Sequence, residues 1–247
     1  MTQFTRIRIS LIVERLDPTP AIYHAVLEDA RRRGIEFAIG GGMAVAAYTI
    51  HRQSAKDIDL YVQPHDRDAM IALVHEHGLK DYFEVQPYDR KWIYRSYTDN
   101  VIVDIMWAMP NQRAQVDIEW IRRGRPVEMY GEHVRVLPAE ELIWAKLYVL
   151  QRDRCDWPDI LNLLYCTADQ LDWDHLVRRV DDDAPLLGAV LTIFRWLCPE
   201  RAALMPGRIW HRLAEHVRKS GAPRADLLDT RPWFVPALEH AHAGEMN

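Results

Sequence analysis

Asp57 and Asp59 stand at alternate positions of Lys56-Asp57-Ile58-Asp59-Leu60-Tyr61-Val62, a run in which Ile58, Leu60 and Val62 are apolar. A period of two is that of a strand, so both carboxylates project from one face with Cα atoms roughly 6.6 Å apart. Two anions this close repel and raise one another's pKa unless a cation lies between them. Mg2+ is the natural occupant, a hard ion that takes carboxylate oxygens at about 2.0–2.1 Å together with waters and substrate phosphates. Spacing alone does not single the pair out, because the chain has 36 acidic residues and four further acidic-x-acidic pairs, at 66/68, 117/119, 172/174 and 181/183. Those four fall at a helix start, in polar turns or on a surface segment, where charge stays solvated.

Asp104 is the single charge in Val101-Ile102-Val103-Asp104-Ile105-Met106-Trp107. A lone carboxylate in such a strand costs free energy unless it is paired, metal-bound or turned to a polar cleft. Two readings stay open for it: a third metal ligand, or a strand-end group that is hydrated or bonded to a neighbouring Arg. Gly40-Gly41-Gly42 joins the apolar run Ile35–Ile39 to the small, apolar helix Met43–Ile50. There the missing Cβ lets backbone amides approach a phosphate at a helix N-terminus, or simply allows a tight turn with close helix–sheet packing. The spacing fits neither GxGxxG nor GxxxxGK[ST], which removes the Rossmann and P-loop readings. Lys146, one of only five lysines beside 26 arginines, follows Glu140 and Glu141 on a helix. By itself that reads as a solvent-exposed pair.

These residues need elements to carry them. Asp17-Pro18-Thr19-Pro20 opens a helix over Pro20–Arg33, which Arg31-Arg32-Arg33-Gly34 closes. Pro64 and Asp66 open another that ends near His77-Gly78, leaving His75 and His77 as surface residues. Tyr82–Val85, Trp92–Tyr97 and Val101–Trp107 read as strands, and Val127–Tyr130 with His133–Val136 as a hairpin around Gly131-Glu132. From Pro138 the pattern turns helical, with Leu142, Ile143, Ala145, Leu147 and Leu150 at helical spacing. Trp173, Trp196, Trp210 and Trp233 in that part read as core aromatics. The fold class expected is α+β: a mixed sheet flanked by helices over residues 1–137, then a helical part over 138–247 that completes the site.

Bulk properties exclude other classes. With 247 residues, 49% hydrophobic and 27% charged, the chain is an ordinary globular protein, neither disordered nor fibrous. No stretch approaches the ~18–20 apolar residues of a bilayer crossing. Arg6, Arg8 and Glu14 interrupt the N-terminus where a signal peptide needs an apolar core, so a cytoplasmic protein that meets no membrane is expected. The three cysteines are odd in number and form no CxxC, so reduced and mostly buried thiols are expected. The net charge of −5 argues against sequence-blind binding of nucleic acid.

Together, Ile39-Gly40-Gly41-Gly42-Met43-Ala44-Val45-Ala46, Arg52-x-Ser54-x-x-Asp57-Ile58-Asp59-Leu60 and Val103-Asp104-Ile105 resemble the nucleotidyltransferase superfamily with the DNA polymerase β-type fold. Gly41-Gly42 matches its glycine pair and Arg52-x-Ser54 the Arg-x-Ser/Thr before its aspartates. Leu137–Lys146 and Arg152–Ile160 are similar to the helical segment of stand-alone bacterial members, AbiEii-type toxins among them.

The resemblance implies Mg2+-dependent transfer of a nucleoside monophosphate from an NTP, ATP being one, to a hydroxyl acceptor with release of pyrophosphate. Asp57, Asp59 and Asp104 would be catalytic and would bind two Mg2+ ions, for which Mn2+ can substitute. Gly41, Gly42, Arg52, Ser54 and Lys146 would hold the nucleotide, and Asp104 would also take the proton of the acceptor hydroxyl. The acceptor stays open between a small molecule, an RNA end and a protein. A tRNA-directed toxin of the same superfamily and a non-catalytic nucleotide-binding or interaction module are the alternatives, and all three carboxylates being present favours the enzyme.

Overall fold

The computed structural model describes residues 21–49, 57–99, 101–217 and 227–228. The chain divides into two units, one up to Pro138 and one from Ala139.

The first unit is built on a seven-stranded mixed sheet in the order β3-β4-β5-β2-β1-β7-β6. In chain order its elements are α1 (Ala21–Arg32), β1 (Phe37–Ile39), α2 (Gly41–Tyr48), β2 (Asp57–Val62), α3 (Arg67–Glu76), β3 (Lys80–Asp81), β4 (Ile93–Thr98), β5 (Val101–Met106), α4 (Ile118–Arg122), β6 (Arg125–Met129) and β7 (Glu132–Val136). β2 is central, antiparallel to β1 and parallel to β5, while β4 and β5 form an antiparallel hairpin. One face of the sheet centre is apolar: Ile58, Leu60, Val103 and Ile105 are all within 1% of full burial. Helix α3 packs on β5 and against α1, and their buried residues Val26, Leu27, Met70 and Leu73 complete this core. Burying such side chains contributes about 1.5–3 kcal/mol each, which fixes the register of the strands, since a one-residue slip would turn Asp57 and Asp59 into that core.

Local details add to or depart from the sequence pattern for identifiable reasons. Tyr82–Val85 is not a strand: pairing stops after Lys80–Asp81, and Tyr82–Glu84 is a 3-10 turn, because the Asp81 carboxylate accepts the Phe83 amide and draws the chain round. The segment holding Asp117 and Glu119 contains a short helix, α4, whose first turn Asp117 caps by accepting the Glu119 amide. In the β6–β7 hairpin the turn is Tyr130-Gly131, both with positive φ, and Glu132 already belongs to β7. His75 is exposed and His77 partly so, in line with a surface position, and each has a polar neighbour: His75 Nε2 lies 2.8 Å from the Tyr94 hydroxyl and His77 Nε2 3.2 Å from Asp29.

The second unit is helical: α5 (Ala139–Lys146), α6 (Trp157–Thr167), α7 (Trp173–Val180), α8 (Ala184–Leu197), α9 (Pro199–Ala202) and α10 (Gly207–Val217). Helix α5 packs against α6 and α7, and α8 against α10. Glu140 and Glu141, which look like solvated first-turn charges, are buried. Glu140 accepts the Asp172 amide at 2.6 Å, and Glu141 Oε1 lies 2.6 Å from His175 Nε2 and accepts from Arg179 Nε at 3.3 Å, so the two carboxylates tie α7 to α5. Trp173 is buried but Trp196 is 82% exposed, and Trp233 lies outside the described residues. Cys155 is exposed and Cys166 and Cys198 partly so, contrary to the expectation of buried thiols. Among the described residues no helix is long and apolar enough to cross a membrane.

Candidate active site

The polar face of the same strands carries the acidic residues. Asp59 and Asp104 are register partners across the parallel pair β2–β5, and Asp57 lies opposite Ile102, so all three carboxylates emerge on one face. One ligand oxygen from each of Asp57, Asp59 and Asp104 lies within 4.8 Å of the others. Three hard oxygen donors converging at this distance fit a divalent ion such as Mg2+, which takes carboxylates plus water and phosphate.

Asp104 sits in the middle of β5, not at a strand end, and its side chain is 2% exposed. It joins the acidic trio and also meets an Arg, although not at a strand end. Arg95, its register partner on β4, donates from Nε to Oδ1 at 2.8 Å and from Nη2 to Oδ2, a two-pronged contact of the kind guanidinium and carboxylate favour. Nη2 also lies 3.9 Å from Asp57 Oδ2. Burial pushes the Asp104 carboxyl up, and Arg95 opposes that shift without cancelling it. Arg95 escaped the sequence reading, although a signal existed. Thr98 pairs with Val101 in the antiparallel β4–β5 pair, and counting outward sets Arg95 opposite Asp104.

Other groups feel the same charge. Tyr23 donates its hydroxyl to the Ile102 carbonyl at 3.2 Å. Its phenol is pushed up to about 12, chiefly by burial and further by Asp57, Asp104 and Asp59, so it remains a neutral donor.

The glycine turn abuts the trio. The Gly40 amide donates to the Asp59 carbonyl at 2.8 Å, and a Cβ on Gly40 would lie 2.2 Å from the Tyr61 ring. Gly41 has φ +55°, and its Cβ would lie 1.5 Å from Asp59 Oδ2. Both positions therefore need glycine sterically. Gly41 and Gly42 are the first residues of α2, where amides have no intrahelical acceptor and the helix end favours an anion. The extra glycine of the run, Gly40, is thus as constrained as Gly41. Arg52 and Ser54 lie outside the described residues.

Lys146 lies in the second unit at the end of α5 and is 12% exposed. It pairs with neither Glu140 nor Glu141: its Nζ lies 2.7 Å from Asp156 Oδ2 and 2.9 Å from Asp159 Oδ2. Burial opposes ionisation of Asp156, but Arg154 and Lys146 outweigh it and hold the carboxyl below the usual range. A folded pKa below the unfolded value makes this pairing stabilising above about pH 4, with the contribution lost as pH falls through the folded pKa. Lys146→Met is accordingly expected to cost about 1–3 kcal/mol at pH 7 and to flatten the fall in urea midpoint between about pH 5 and pH 3. Identical acid slopes for the two proteins would contradict the pairing.

Residues 21–195 match the model of a family described as uncharacterised nucleotidyltransferases. No curated protein matches the chain. Among solved structures, ANT(2")-Ia in complex with adenylyl-2"-tobramycin is similar at 20% identity and a TM-score of 0.40, over 71% of this chain and 95% of its own. The lincosamide antibiotic adenylyltransferase LnuA, lincomycin-bound, is similar at 15% identity and a TM-score of 0.44, over 60% and 98%. JHP933 from Helicobacter pylori is similar at 13% identity and a TM-score of 0.39, over 92% and 96%.

Proposed function

The chain belongs to this nucleotidyltransferase family, and from that premise we propose that it transfers a nucleoside monophosphate from an NTP to a hydroxyl acceptor. The observation that carries the reading is the convergence of Asp57, Asp59 and Asp104 beside the Gly40–Gly42 turn. Asp57 and Asp59 would ligate Mg2+, or Mn2+ in its place, and Asp104 would close the same face. A divalent ion supplies charge neutralisation on the triphosphate and polarises the phosphoryl group.

The chain's own groups do the rest. The Gly41 and Gly42 amides at the start of α2 would hold phosphate oxygens, as helix N-termini do. The acceptor oxygen forms a bond to the α-phosphorus, the α–β bridging bond breaks, and pyrophosphate departs with that electron pair. The acceptor proton would pass to a carboxylate within hydrogen-bond reach on the face shared by Asp57, Asp59 and Asp104. The net charge of −5 favours a small acceptor over a large RNA.

Pyrophosphate release tests this, measured with each of the four NTPs, Mg2+ and panels of hydroxyl-bearing small molecules, RNA ends and proteins. Release that depends on an acceptor and stops with a chelator is expected. Release insensitive to chelation, or none with any combination, would contradict it.

A further inference from the structure

We propose that Arg95 is the resident cation on the Asp104 side of the acidic trio, so that the site takes one divalent ion, on Asp57 and Asp59, where two would otherwise bind. The inference rests on the reading of the trio as a metal centre. Arg95, Asp104 and Asp59 form one row of register partners across β4, β5 and β2, so the backbone itself holds the guanidinium beside the carboxylates. The guanidinium engages both oxygens of Asp104 and reaches towards Asp57 at 3.9 Å. Among the described residues, the Arg95 guanidinium offsets one of the three carboxylate charges on the Asp104 side. A second ion at Asp104 would have to share both of its oxygens with a planar donor fork of like charge, and a fork matched to carboxylate geometry is not readily displaced. Asp104 is 2% exposed against 34% for Arg95, so the Arg closes over the buried acid and takes the position from which a second ion would have to approach.

Without Arg95 a buried carboxylate is left uncompensated and becomes available to a second cation.

Mn2+ binding to the full chain, followed by electron paramagnetic resonance, tests the inference. Free Mn2+ is counted from its solution signal, with and without inorganic tripolyphosphate and against a protein-free tripolyphosphate control. Wild type is expected to bind one Mn2+ per chain with an uncoupled spectrum in both conditions. Arg95→Gln should bind two, with the spectrum broadened by spin coupling between ions about 3.5–4 Å apart. Two coupled ions in wild type, or one in Arg95→Gln, would overturn the role of Arg95. No bound Mn2+ in wild type would instead overturn the metal centre and the proposed function with it. Should Arg95→Gln fail to fold, the wild-type count and spectrum decide the matter alone.

Discussion

Asp57→Asn is expected to lower nucleotidyl transfer by at least about 10³-fold, equivalent to about 4 kcal/mol of transition-state stabilisation, while the protein stays folded. The change keeps the side chain's shape but removes one of the charges that would hold the ion. Asp57 is partly exposed, and among the described residues its cationic neighbour is Arg95 at 3.9 Å, so folding loses little. Relief of repulsion among three neighbouring carboxylates works in the same direction. Asp104→Asn should match it in activity and differ in stability. It removes the charge from a buried group that Arg95 grips through both oxygens, so its urea midpoint should fall where that of Asp57→Asn does not. Wild-type turnover by Asp57→Asn would dismiss it as a metal ligand, and equal stability of the two variants would contradict the difference in their surroundings.

Gly41→Ala is expected to reduce activity about 10²–10³-fold, approaching the loss from removing Asp59 itself, although a single methyl group is added. That methyl would sit 1.5 Å from Asp59 Oδ2 and 2.6 Å from its Cγ, so the carboxylate must leave its place. The left-handed backbone at φ +55° adds about 1–2 kcal/mol of strain for any residue with a Cβ. Stability should therefore drop only by about 1–2 kcal/mol while metal-dependent activity nearly vanishes, a split between the two readouts that a general folding defect would not produce. Activity within a few-fold of wild type would show that Asp59 has freedom that the geometry denies it. Chelation of divalent ions should leave wild type and Gly41→Ala equally inactive.

The strand carrying Asp57 and Asp59 was readable because Ile58, Leu60 and Val62 alternate with them, and the burial of those three residues follows the same period. Asp104 stood out as a lone charge in an apolar run, and that anomaly reflects both the trio and the bond to Arg95. What periodicity does not contain is pairing between strands distant in the chain. That β2 lies parallel to β5, with Asp59 level with Asp104, depends on the whole sheet order and not on any local run. Arg95 was hidden among 26 arginines, and only the hairpin count from Thr98 and Val101 distinguishes it. The errors have local causes of their own. Tyr82–Glu84 has the aromatic content of a strand, yet one side-chain bond from Asp81 turns it. Glu141 reads as exposed because charge usually is, yet it is enclosed by opposite charges from residues further along, His175 and Arg179.

The most direct measurement of the central claim is the thermal unfolding of wild type and Asp57→Asn with each of the four NTPs, with and without Mg2+. A ligand at about 100 times its Kd that binds only the folded chain adds about 2.7 kcal/mol of apparent stability, which raises Tm by several degrees. Wild type should show a Mg2+-dependent rise with at least one NTP, and Asp57→Asn none with the same nucleotide. A rise that is equal in the two proteins, or no Mg2+-dependent rise with any of the four, would contradict an ion-dependent nucleotide site built on these carboxylates.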